Sequence, residues 1–222
     1  MTLYQGYGLV IESELELPAL PPGQGHPQLW CRLGPVPRSL GERARRGYRF
    51  EADSDRLLFK THTIADYLVA QPTITIDIKA GADDNEVRNL VTGPVLGALL
   101  LQRRQLGLHA AALERAGRGT LICAASGIGK SSLAWALLQK GYRILDDNLA
   151  AIGWRDGRPL VYPGSPTTRM WPANLERLCP KVGATKCFAS LDKLAASVSP
   201  GQFCPVATEV ERIFVLTRSD SF

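Results

Sequence analysis

The chain has 222 residues, of which 45% are apolar and 21% charged. This is long enough for one sizeable hydrophobic core, or for a core with a small appendage. The formal net charge of +5 is modest for this length, which argues against a dedicated nucleic-acid-binding protein. No apolar run reaches the ~18 residues of a membrane-spanning helix.

The N-terminus, MTLYQGYGLVIESELELP, lacks the basic start and apolar centre of a signal peptide. We therefore expect a cytoplasmic protein with no membrane or nucleic-acid partner. The cysteines are odd in number and widely spaced, without a C-x-x-C pair, which favours reduced thiols over a metal or disulfide framework. They are Cys31, Cys123, Cys179, Cys187 and Cys204.

Arginines are most concentrated in residues 38–49, RSLGERARRGYR, and recur at Arg103 and Arg104. Such a cluster is more often a solvated face than a nucleic-acid footprint. An acidic partner peptide or a nucleotide would also suit it. The pattern does not encode an oligomeric state, so a homo-oligomer is as compatible with it as a monomer.

The first eighty residues are predicted to be β-rich. Residues 7–17 alternate apolar and acidic side chains, and residues 73–79, TITIDIK, place three isoleucines on one face. Residues 18–28 have the proline and glycine density of a surface loop. We expect a β-rich N-terminal region over residues 1–83, packed on the core.

A helix is predicted to begin with Asp84 or Asn85 as its cap, with Pro94 interrupting it. Its apolar stripe is Val87, Leu90, Val91, Val95, Ala98 and Leu99. We place the start of the second domain, residues 84–222, at this helix.

From residue 108 the pattern becomes strand (108–114), turn, strand (120–125), helix (Lys130 to Gly141) and strand (142–145). This is the element order of a βαβ unit, so we expect an α/β fold with a P-loop core. A loop and a short helix should follow over residues 161–178. The last residues of the chain are predicted to form a strand. We expect either a truncated C-terminus or a domain without a final helix.

Residues 124–131, AASGIGKS, have the spacing of a phosphate-binding loop, with alanine in place of the usual first glycine. The two glycines allow backbone conformations in which consecutive N–H groups converge on phosphate oxygens at a helix start. Lys130 would reach the β- and γ-phosphates, and the Ser131 hydroxyl would ligate Mg²⁺. We therefore predict ATP and Mg²⁺ as cofactors. The predicted nucleotide-binding residues are Ala125, Ser126, Gly127, Ile128, Gly129, Lys130, Ser131 and Ser132.

Asp146 and Asp147 follow one strand later, where a P-loop protein keeps the acid that holds Mg²⁺ or accepts a proton. The alternative is a pair that caps a turn beside Asn148. His109 lies 21 residues before Lys130, on the strand expected to neighbour the loop. A lone histidine on an apolar strand is more often a core or edge residue than a functional one.

The segments LHAAALE and ASGIGKSSLAWALLQKGYRILDDN resemble the catalytic domain of the HPr serine kinase/phosphatase family over residues 108–150. Beyond this core, YGLVIESELELPAL and YPGSPTTRMWP resemble the small HPr-kinase-like proteins of peptide-modification clusters, including those for lasso peptides. The resemblance implies a kinase for a serine of a peptide, with His109, Lys130 and Ser131 at the matching family positions. It also implies that the second aspartate of a pair acts as the base.

The strand before the acidic pair is one residue shorter than in that family, so Asp147 matches either its first or its second aspartate. Asp147 is thus the predicted base. Ser131 and Asp147 are the predicted Mg²⁺ ligands. The glutamate segment that full HPr kinases use for the reverse phosphatase reaction has no counterpart, so we do not expect dephosphorylation. Arg169 is a candidate for stabilising charge on the transferred group, although a loop arginine is more often a surface residue.

These patterns predict a kinase that transfers the γ-phosphoryl group of ATP to a serine or threonine hydroxyl of a peptide or small protein. The predicted catalytic residues are Asp147, His109, Lys130, Asp146 and Arg169. A regulatory or scaffold protein that binds a nucleotide without transfer is an open alternative, because a complete phosphate loop serves both. A GTPase is disfavoured because no Asp-x-x-Gly follows the loop, although tolerance for GTP is not readable from the sequence.

Overall fold

Strands in three sheets and a few short helices make up the described part of the chain, residues 1–179, 182–188 and 191–218 of a computed structural model. The fold is therefore mixed α/β and β-rich, as the sequence predicts. The chain divides into two compact units, Met1–Arg104 and Gln105–Phe222.

The first unit is built on an eight-stranded sheet of order β1-β2-β3-β8-β7-β6-β5-β4. Its strands are β1 Thr2–Gly6, β2 Leu9–Ser13, β3 Leu29–Leu33, β4 Arg45–Gly47, β5 Phe50–Ala52, β6 Arg56–Lys60, β7 Ala65–Ala70 and β8 Thr73–Ile78. Alternate residues of a strand face opposite sides of a sheet, and in β7 the alternate residues Ala65, Tyr67 and Val69 are buried. The predicted β-rich character of this region is confirmed.

The predicted helix forms as two pieces, α1 (Asp84–Leu90) and α2 (Leu96–Gln102), joined by a π-helical segment. Its cap is Asp83, one residue before the predicted position, and the Asp83 side chain accepts from two backbone N–H groups. The interruption occurs where Pro94, which lacks an N–H donor, follows Gly93 with non-helical backbone angles.

The division between the two units follows Arg104, whereas the sequence pattern predicts a boundary after residue 83. Both helical pieces belong to the first unit because they pack on its sheet. The Tyr67 hydroxyl donates to the Val87 carbonyl at 3.3 Å, and the Gln102 amide donates to the Val69 carbonyl at 3.2 Å. Contacts of this kind join residues far apart in the chain, and the helical periodicity does not specify them.

The second unit is built on a seven-stranded sheet of order β12-β10-β11-β18-β14-β13-β9. Its strands are β9 Leu106–Leu108, β10 Ala110–Arg115, β11 Arg118–Ala124, β12 Arg143–Asp146, β13 Ala150–Arg155, β14 Arg158–Tyr162 and β18 Thr208–Leu216. Strand β10 contributes to the core from both faces, because Ala111 and Leu113 pack in one cluster while Ala110 and Ala112 pack in another. Strand β10 is therefore a central, doubly buried strand.

Helix α3 (Lys130–Leu138) links β11 to β12, as predicted. These strands do not pair with each other, because β10 lies between them and is antiparallel to both. The crossover therefore spans one intervening strand. Helix α3 packs on the cluster that includes Ala111 and Leu113, through Ala134, Trp135 and Leu138.

A small three-stranded sheet of order β15-β17-β16 completes the second unit. Its strands are β15 Thr167–Met170, β16 Ala184–Phe188 and β17 Leu191–Ser197, and helix α4 (Pro172–Leu178) follows β15. The short helix was predicted, whereas this sheet and the β13–β14 hairpin were not. Among the described residues, no helix is both long and apolar enough to cross a membrane.

Candidate functional site

The phosphate-loop motif connects β11 to α3 at one edge of the seven-stranded sheet. Strand β11 ends at Ala124 and β12 ends at Asp146. Strand β10 runs antiparallel to both, so its first residues lie at the edge where those two strands end. His109 immediately precedes β10. The motif, the acidic pair and His109 are therefore brought to the same sheet edge.

The motif's glycines take the backbone conformations that the motif requires. Gly127 and Gly129 have φ of +87° and +109°, a region that side chains disfavour, although a Cβ at either position would meet open space. Gly129 is the N-cap of α3. Ala124 is the last residue of β11 and is not among the residues with positive φ, which explains why alanine replaces glycine there.

Lys130, the first residue of α3, forms a buried ion pair with Asp147. Its ammonium donates to Asp147 Oδ1 at 2.6 Å and to the Asp147 carbonyl at 2.9 Å. The Lys130 side chain is 8% exposed and that of Asp147 is 0% exposed. A lysine ammonium has three N–H donors, so one donor is left for a phosphate oxygen. The other carboxylate oxygen of Asp147 accepts from the Arg169 backbone N–H at 3.1 Å.

Asp146 is also buried, and its carboxylate accepts from three backbone N–H groups. Oδ1 accepts from the N–H groups of Asn148 and Leu149 at 2.6 and 2.8 Å, and Oδ2 accepts from the N–H of Ser165 at 2.8 Å. Burial raises the pKa of the Asp146 carboxyl, while these hydrogen bonds oppose that rise. The carboxylate ties the turn after β12 to the chain that leads into β15, so its evident contribution is structural.

His109 is exposed, and its Nδ1 lies 3.0 Å from the Asn148 carbonyl oxygen. A carbonyl only accepts hydrogen bonds, so Nδ1 carries the proton and Nε2 is the unprotonated nitrogen. Although the residue as a whole is exposed, partial desolvation of its ring and the nearby positive charge of Lys130 lower the pKa of His109, with a smaller contribution from Lys193. The imidazole is therefore neutral at neutral pH.

For a site that transfers a phosphoryl group, we expect the transfer rate to stay constant as pH falls through about 6.5, the ordinary pKa of histidine. The rate should drop only at lower pH, since the folded-state pKa of His109 is depressed and protonation requires more acid. His109→Asn can keep a donor to the Asn148 carbonyl but removes the second ring nitrogen. The drop in rate at low pH should therefore disappear in this variant. Rates measured from pH 5 to 8, about the range in which histidine titrates, test this. If His109→Asn keeps the drop in rate at low pH, that drop belongs to another titrating group.

The three-stranded sheet supplies the opposite wall of the site. Arg169 on β15 and Lys193 on β17 line the same cleft as the loop residues, together with Trp171 and Asn174 at the start of α4. Only Arg169 was predicted among these four, because the others carry no motif and come into position through strand pairing.

A second cleft adjoins the first and reaches Asp147 of the acidic pair. It is lined by His109, Lys130, Ser131, Asp147, Asn148, Arg169, Cys187 and Lys193. Every predicted nucleotide-binding residue except Ile128 lines the first cleft. Asp146 lines neither of these two clefts.

The two predicted Mg²⁺ ligands, Ser131 and Asp147, are not equally available to a metal ion. Ser131 lines both clefts, and a hydroxyl at this position fits a cation that is held mainly by phosphate oxygens and water. The Asp147 carboxylate is fully buried, and both of its oxygens accept hydrogen bonds. Its role as a metal ligand stays a prediction. Within the described residues, no group of three or more His, Cys, Asp or Glu side chains is placed to hold a metal ion.

No protein-family model matches the chain, and no curated protein matches it significantly. Solved structures with a significant match include the HPr(Ser) kinase/phosphatase from Coxiella burnetii. That structure is 17% identical, with a TM-score of 0.34, and the match covers 52% of this chain and 68% of the other. The similarity is distant and partial.

Proposed function

We propose that this protein is an ATP-dependent kinase that phosphorylates a serine or threonine hydroxyl of a peptide or small protein. The observation that carries the proposal is the direct bond between the loop lysine, Lys130, and the buried carboxylate of Asp147. It joins a phosphate-binding element and an acid in one site.

In the proposed reaction, the acceptor oxygen forms a bond to the γ-phosphorus while the bond from that phosphorus to the β–γ bridging oxygen breaks. The electron pair of the broken bond stays on ADP, and Asp147 accepts the hydroxyl proton. The first-turn N–H groups of α3 and the Lys130 ammonium neutralise phosphate charge. Mg²⁺, when bound at Ser131, supplies further neutralisation of the β- and γ-phosphates.

Two features support a peptide over a small metabolite as the acceptor. The site is bordered by a second cleft, which gives the residues that flank a reacting hydroxyl room beside the phosphate loop. The sequence resemblance to peptide-modifying HPr-kinase-like proteins points to the same class of acceptor. A ribosomal precursor peptide of the lasso type is the specific substrate we propose.

Mass spectrometry tests this proposal. Incubation with Mg²⁺, ATP and precursor-type peptides should add about 80 Da per phosphoryl group to a serine-containing peptide. The matched peptide with Ser→Ala should stay unmodified. Modification of free serine or a sugar with every peptide unmodified would exclude the peptide acceptor but keep the kinase. ATP binding without transfer to any acceptor would favour the nucleotide-binding regulatory protein instead.

A further inference from the structure

Lys193, on β17, is one of the residues shared by the two clefts. The cleft beside the phosphate loop and the cleft beside Asp147 have five lining residues in common. These are His109, Lys130, Ser131, Arg169 and Lys193. A group that moves from the phosphate loop towards Asp147 passes these shared residues.

The Lys193 ammonium has no carboxylate partner among the described residues. It lies 5.6 Å from the centre of the Trp171 ring, where a cation–π interaction holds it without neutralising its charge. Lys186, on the neighbouring strand β16, contrasts with it because its ammonium pairs with Asp192 at 3.6 Å. The positive charge of Lys193 is therefore available to an anion in the cleft.

The second cleft is lined by more positive than negative side chains. Three cationic side chains line the second cleft, those of Lys130, Arg169 and Lys193, whereas its acidic side chain is that of Asp147. That carboxylate is already bonded to Lys130. This excess of positive charge acts on His109, because Lys130 and Lys193 both lower its pKa. Burial has the largest effect on that pKa. A site of this kind favours a multiply charged anion.

We propose that Lys193 is a further catalytic residue, which contacts the γ-phosphoryl group as it passes from ATP to the acceptor. The proposal rests on the kinase function proposed above. The Lys193 ammonium neutralises charge on the non-bridging oxygens of the transferred group. Trp171 is the positioning residue that holds the ammonium at the junction of the clefts.

The test compares Lys193→Met with Lys186→Met, a matched loss of one lysine from the adjacent strand, and with Lys193→Arg. Affinities for ADP and for a non-hydrolysable ATP analogue are measured separately from the transfer rate. We expect Lys193→Met to bind ADP as the wild type does, but to bind the ATP analogue about tenfold or more weakly, since it loses a charge-assisted hydrogen bond to the γ-phosphate. Its transfer rate should fall further, with partial recovery in Lys193→Arg.

Equal losses for ADP and the ATP analogue, or the same losses in Lys186→Met, would overturn the proposal for Lys193. Normal transfer by Lys193→Met would overturn it while leaving the kinase function intact. If the wild type transfers phosphate to no acceptor, the proposed function fails. In that case a loss confined to the ATP analogue still supports Lys193 as a γ-phosphate contact, and the absence of such a loss overturns it.

Discussion

Replacing Lys130 with methionine will abolish measurable phosphoryl transfer and weaken ATP binding. The lysine is the one charged side chain of the loop motif, and removing a positioned donor to a developing charge typically lowers the rate by about 10²–10³ or more. The same change leaves the buried Asp147 carboxylate without its ammonium partner. Breaking a buried ion pair from one side costs on the order of 3–5 kcal/mol, so the thermal unfolding temperature should fall as well.

The double variant Lys130→Met/Asp147→Asn separates these two effects. Removing the charge on both sides should recover part of the lost stability, because no uncompensated buried charge remains. The double variant should nevertheless bind ATP weakly and transfer no phosphate. Calorimetric titration with ATP and thermal unfolding of the wild type and both variants measure this. Wild-type transfer by Lys130→Met would remove the basis for a phosphate loop in this protein.

The two aspartates should respond differently to the same substitution, because the structure gives them different partners. Asp147→Asn should lower the transfer rate by about 10² or more, the typical contribution of a general base. Nucleotide affinity should stay within a few fold of the wild type, since the asparagine oxygen can still accept from Lys130. Single-turnover rates below the unfolding temperature of each variant isolate this effect from stability.

Asp146→Asn serves as the matched control. The amide nitrogen that it introduces must face one of the three backbone N–H groups now bound by Asp146, and leaving such a group unsatisfied costs about 1–3 kcal/mol. We therefore expect a lower unfolding temperature and a near-normal rate per folded molecule. If Asp146→Asn lost the rate and Asp147→Asn kept it, the base would be Asp146 and our role for Asp147 would be wrong.

Local sequence determined the elements whose signals lie within a few residues of one another. The loop at 124–131 is recognisable because its glycines and lysine have a fixed spacing, and the helix that follows begins at Lys130 as predicted. The strand at 73–78 follows from alternation of side chains. The strand at 9–13 does not, because it buries three consecutive residues and ends at Ser13, before most of the alternating segment. His109 could be placed beside the loop from strand order alone.

Tertiary structure decided what depends on pairing between distant segments. The helical pieces at 84–102 belong to the first unit because they pack on its sheet, and no local pattern specifies that surface. Strand register brings Lys193 beside Trp171, although neither residue carries a motif. The acidic pair shows the same limit. Adjacent aspartates are equivalent in the sequence. Only the fold brings the Ser165 N–H to Asp146, and the Lys130 ammonium and Arg169 N–H to Asp147, because these partners lie 17 to 22 positions away in the chain.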